Sequence, residues 1–69
     1  MDSLLKQANL LWDYGQFLAT NVENDLTSLY SYNGRLYVIW YNGKSVLEKI
    51  EEIDLPTAQK MFKGFDGIF

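Results

Sequence analysis

The side chains of this 69-residue sequence that could carry chemistry fall into two groups. Glu48, Glu51, Glu52 and Asp54 crowd one stretch, and carboxylates alone can hold Mg²⁺ or divide acid and base duties in glycoside cleavage. Tyr30, Tyr32, Tyr37 and Tyr41 stand near Arg35 and Lys44. That set offers flat amphipathic area and directional donors to a protein, or stacking faces to single-stranded bases. His and Cys are absent. With them go the usual general base, the Ser-His-Asp relay, imidazole and thiolate metal sites, and thiol nucleophiles. No phosphate-cradling glycine loop stands in, because Gly34 and Gly43 read as turn residues while Gly64 and Gly67 lie at the end.

The acids fall where a strand gives way to a helix, in a chain too short to wall off a substrate cleft. They read as a solvated charge run, so the expectation is a non-enzyme with no metal and no cofactor. A net charge of −3 and a pI near 4.6 oppose the concentrated positive field that nucleic-acid binding requires. Single-stranded binding therefore stays only as an alternative for the tyrosines.

The elements that must position these groups are announced by a tripeptide that occurs twice. Tyr32-Asn33-Gly34 and Tyr41-Asn42-Gly43 are nine residues apart, and Asn-Gly is the strongest short hairpin signal because both central positions of a type I′ turn need positive φ. Two such turns in series predict a three-stranded antiparallel meander over residues 26–32, 35–41 and 44–50. Ahead of it, residues 3–20 predict an amphipathic helix capped by Asp2 or Ser3. Leu4, Leu5, Ala8, Leu11, Trp12, Gly15, Leu18 and Val22 share an arc of roughly 140°. Leu10, Tyr14 and Phe17 add a second apolar flank that a single buried face does not require. A polar connection over 21–25 follows. Residues 55–63 predict a short second helix, with Asp54 as cap and Pro56 in the first turn, ended by Gly64 and followed by an apolar tail over 64–69. The fold class is α+β, in the order α-β-β-β-α, as one domain over 1–69.

Register decides which side chains share a face. Counting outward from the two turns sets Tyr30 opposite Tyr37, Ile39 opposite Val46, and Tyr41 opposite Lys44. One face then gathers Tyr30, Tyr32, Arg35, Tyr37 and Tyr41, with Ile39, Glu48 and Ile50. The other carries Leu29, Leu36, Val38, Trp40, Leu47 and Lys49, which is the surface for two helices to cover. The tyrosine face is assigned to solvent or a partner; the alternative is that the helices split, one on each face. Strand 44–50 guards its edge with Lys44, Glu48 and Lys49. Strand 26–32 has neither charge nor Pro, so Thr27, Ser28, Leu29 and Ser31 are expected to present an open edge for another strand, unless the helix connection or the tail covers it.

Length and composition bound the rest. The chain is 48% hydrophobic and 16% aromatic, the profile of a packed globule. A domain this small buries only about 60% of its unfolded surface, and without disulfides oligomerisation is the remaining common aid. The longest apolar run, 36–41, is far short of the ~20 residues of a membrane span, and no signal-peptide pattern is present, so a soluble cytoplasmic protein is expected. The functional expectation is a protein-interaction module, working through the tyrosine face, the open edge or both, and homodimeric. No family motif matches residue by residue. Small, acidic, cysteine-free domains are frequent among phage and mobile-element products that block a host protein, which supplies an alternative by analogy of size and composition.

Overall fold

In the computed structural model the described residues are 3–21, 26–43 and 46–69. The expectations at Asp2, Val22, Lys44 and most of the 21–25 connection lie outside them. The elements are α1 (Ser3–Tyr14), β1 (Gln16–Thr20), β2 (Thr27–Tyr32), β3 (Arg35–Tyr41), β4 (Leu47–Ile53) and α2 (Leu55–Met61). The four strands form one antiparallel sheet in the order β1-β2-β3-β4. The class is α+β, but the sheet has one strand more than the twin turns announce.

The extra strand comes out of the expected first helix, which stops at Tyr14 instead of running to residue 20. Gly15 makes the corner. Its N–H donates to the Leu11 carbonyl at 2.9 Å. A Cβ there would come within 2.6 Å of that same oxygen and 3.1 Å of the Ser31 carbonyl. Only glycine lets the chain leave the helix and run straight along β2. The next five residues carry no charge and no Pro, so nothing prevents them from filling the open row of β2. Gln16 pairs with Ser31, Phe17 with Tyr30, Ala19 with Leu29, and Thr20 with Ser28. The expected open edge at Thr27, Ser28, Leu29 and Ser31 is therefore overturned: β2 is an interior strand, with Thr27, Leu29 and Ser31 buried.

A bulge between Phe17 and Ala19 gives β1 a second function in packing. By inserting Leu18 it lets two consecutive side chains, Leu18 and Ala19, both pack on the core.

The two Asn-Gly sites behave differently. Asn33 (φ 54°) and Gly34 (φ 75°) take the positive angles of a type I′ turn, and β2 pairs with β3 in the expected register. Neither Asn42 nor Gly43 does so. Instead the Asn42 N–H donates to the Val46 carbonyl at 2.8 Å, and the Val46 N–H donates to Asn42 Oδ1 at 3.1 Å, closing a wider connection. β4 consequently begins at Leu47 and slides four residues: Ile39 faces Ile50 rather than Val46. The slide sets Ile53 opposite Leu36 and packs it on the core. An even slip preserves parity, so Ile50 and Lys49 keep their expected faces. Leu47 does not, because an irregularity at Trp40/Tyr41 sets it opposite Tyr41.

The core on the aliphatic face is Leu29, Leu36 and Val38 beneath Ala58 and Phe62, with Trp40, Ile53, Leu55, Met61 and Phe65 at its margin. Burying a side chain such as Phe62 stabilises the fold by about 2 to 3 kcal/mol. Asp54 fixes the start of α2, its carboxylate accepting the Thr57 N–H at 3.0 Å, with Pro56 in the first turn. The helix is two residues shorter than expected at its end, stopping at Met61 so that Phe62, Gly64 (φ 93°) and Phe65 can turn back over the core.

Candidate interaction surface on the tyrosine face

The helices split. With α2 occupying the aliphatic face, α1 lies across the tyrosine face, packed on β4, β2 and β1. Ala8 and Leu11 are its buried side chains, and Ile39 is fully buried in the sheet. The expectation that both helices share one face and leave the tyrosines to solvent is corrected. The physical reason is the short connection at Gly15, which fixes α1 to the side of the sheet from which β1 departs.

α1 covers this face incompletely and leaves a groove of about 310 Å³ along one flank. Gln7, Leu10 and Leu11 form its helical wall, and Tyr32, Tyr37 and Ile50 its floor. The apolar floor follows from register: the slip keeps Ile50 on this face and moves it opposite Ile39. Arg35 and Glu52 sit beside the groove, because each is the cross-strand partner of one of its tyrosines, Arg35 of Tyr32 and Glu52 of Tyr37. Their side chains are 3.5 Å apart and more than half exposed. An exposed pair of this kind adds little to stability and supplies instead a positive and a negative point at one rim.

The other sheet tyrosines have different surroundings. Tyr30 meets Phe17 edge to face, ring centroids 5.6 Å apart at 73°. Burial, and after it the nearby Tyr41, pushes the Tyr30 hydroxyl above the ordinary tyrosine value. Of the expected contact residues, Tyr30, Tyr32, Tyr37 and Tyr41 are half-buried and Arg35 is exposed. The structure joins Tyr32, Tyr37 and Arg35 at one groove.

Gln7, Leu10 and Leu11, residues not expected at this site, complete it, together with Ile50, which register already sets on the tyrosine face. Tyr14, 76% exposed, lies one turn beyond Leu10 on the same flank of α1, and Phe17, Leu5 and Trp12 are also exposed. The signal for part of this was present in the second apolar flank of Leu10, Tyr14 and Phe17.

The carboxylates do not gather. Glu51 pairs across to Val38 and Glu52 to Tyr37, so neighbouring acids point to opposite faces. Glu51 lies 3.5 Å from Lys49, and Asp54 is committed to its cap. Among the described residues no three acidic side chains come close enough to hold a metal ion.

A second concavity, about 370 Å³, runs between Leu18, Ala19 and Thr20 of β1 and the Lys63–Asp66 segment. It lies beside the new outer strand. That strand is bulged and β4 is charged, and both are devices that discourage edge pairing. Among the described residues, no helix is long and apolar enough to cross a membrane. Comparison with protein-family models, curated proteins and solved structures finds no match. The functional reading therefore rests on the geometry.

Proposed function

We propose that this chain is a non-enzymatic, cytoplasmic protein-interaction module whose contact surface is the groove between α1 and the tyrosine face. The observation that supports it is the combination of an apolar floor and wall, at Leu10, Leu11, Tyr32, Tyr37 and Ile50, with Tyr14 protruding beside them. Exposed aromatic area of this kind, next to a single Arg, is what interface centres are made of. Tyr37 and Tyr32 supply rigid area, Leu10 and Tyr14 the anchors, and Arg35 a directional donor.

The test compares the wild-type chain with Tyr14→Ala and Leu10→Ser as baits in affinity capture from the source cell, alongside sedimentation of each chain alone. The reading expects association, with another protein or with itself, that both substitutions weaken while circular dichroism stays unchanged. A wild-type chain that neither captures a protein nor self-associates overturns it.

A further inference from the structure

We infer that the occupant of the groove is a second copy of this chain, docked about a two-fold axis so that Arg35 of each copy lies over Glu52 of the other. This rests on the interaction-module reading and names its partner.

A two-fold contact places the same patch on both sides, so the patch must complement itself. The groove surface meets that requirement in shape and in charge. In shape, it sets a hollow floored by Tyr32, Tyr37 and Ile50 directly beside a projection, Leu10 and the largely exposed Tyr14. Turning one copy over brings each projection to the other's hollow. In charge, the rim holds one cation and one anion side by side at 3.5 Å, with the side chains 64% and 51% exposed. Rotation by 180° about an axis that passes between the two groups sets Arg35 against Glu52 twice, so that at this rim opposite charges meet. A foreign partner would have to supply the reversed pair in the same spacing; a second copy has it by symmetry.

Size agrees with this occupant. A stable interface takes about 800 Å² from each partner, roughly a sixth of the 4739 Å² surface here. The broad side of the molecule, 35 by 28 Å, has room for it. Strand addition is the competing way to make a dimer. The bulge at Leu18 disfavours it on one edge, and Glu48, Lys49, Glu51 and Glu52 disfavour it on the other.

Charge reversal tests the arrangement without relying on a variant that could unfold, since both groups are exposed. Sedimentation velocity and native mass spectrometry on the full chain, from micromolar to millimolar concentration at low salt, should show a monomer–dimer equilibrium. Arg35→Glu alone and Glu52→Arg alone should each weaken dimerisation about tenfold, because each sets like charges face to face at two places. Mixing the two variants one to one should restore association as a heterodimer, in which every rim contact is again between opposite charges. The same chain carrying both reversals should dimerise like the wild type. A wild-type chain that stays monomeric at millimolar concentration overturns the proposal, as does a mixture that associates no better than its components. If such a monomer still captures a different protein through Tyr14 and Leu10, the second copy is ruled out as occupant while the interaction module stands.

Discussion

Gly15 lies so close to Ser31 that a Cβ on it would sit 3.1 Å from the Ser31 carbonyl oxygen, and 2.6 Å from that of Leu11. Both neighbours are backbone, so neither can swing aside. Gly15→Ala should therefore push α1 off its seat or displace β1 from β2, at about 2 to 3 kcal/mol, the range of an overpacked interior. Urea denaturation measures it. A neutral or stabilising substitution, as expected for a solvent-facing helix glycine, would show that the corner is looser than described.

The twin turns offer a paired comparison within one chain. Gly34 holds φ at 75°, where a side chain is strained, while Gly43 takes no such angle, and among the described residues neither has a neighbouring atom to clash with. Gly34→Ala should cost about 1 kcal/mol. Gly43→Ala should be neutral or stabilise by up to about 1 kcal/mol, through a less flexible unfolded chain. Equal losses at both sites would contradict the difference between the two connections.

Thr27 is 2% exposed, and its Oγ1 has no hydrogen-bond partner among the described residues. Val replaces that hydroxyl with a methyl group of similar shape, so no cavity is made and an unsatisfied polar group leaves the interior. Thr27→Val should raise stability by about 1 kcal/mol. A loss of comparable size would mean that the hydroxyl is satisfied in solution, by water or by a side chain.

Two groups couple folding to pH with opposite signs. The folded state raises Tyr30 above its ordinary value of 10.0, first by burial and then through Tyr41. The unfolded chain releases that proton first, so stability is fully present below pH 10 and falls as pH climbs through the folded value. Tyr30→Phe should flatten this alkaline decline. Asp54 is lowered by its hydrogen bonds from Thr57. Its contribution is present above the usual carboxylate range and is lost as pH falls through the depressed value. Asp54→Asn keeps a capping acceptor and should flatten the acid side. Denaturation midpoints across pH measure both, and slopes identical to wild type would assign the dependence to other groups.

Much of the framework was readable because its causes are local. The Asn33-Gly34 turn, the alternation of Leu36 and Val38 against Tyr37, and the Asp54 cap each depend on residues a few positions apart. Residues 16–20 misled for the same reason: Leu18 continues the helical stripe of Leu4, Leu11 and Gly15, and short apolar runs do not distinguish helix from strand. The second Asn-Gly misled because an identical dipeptide can close two connections, and the choice lay with Ile53, which the slipped register brings to the core beside Leu36. At the candidate site, the tyrosines, Arg35 and Ile50 were found by register, whereas Gln7, Leu10 and Leu11 join them only once α1 is laid across the sheet.

From residue order alone come the α+β class, the β2–β3 hairpin, the segregation of aliphatic from tyrosine side chains, and the lack of His and Cys that removes imidazole and thiol chemistry. All of these follow from steric preference, side-chain period or composition, which act over one or two turns of chain. Folding in three dimensions settled the strand at Gln16–Thr20, the register of β4, and the seat of α1. Those depend on burial and pairing summed over residues far apart in sequence. A tyrosine face that looks open in the alternation of one strand is thereby reduced to a groove with an Arg35–Glu52 rim.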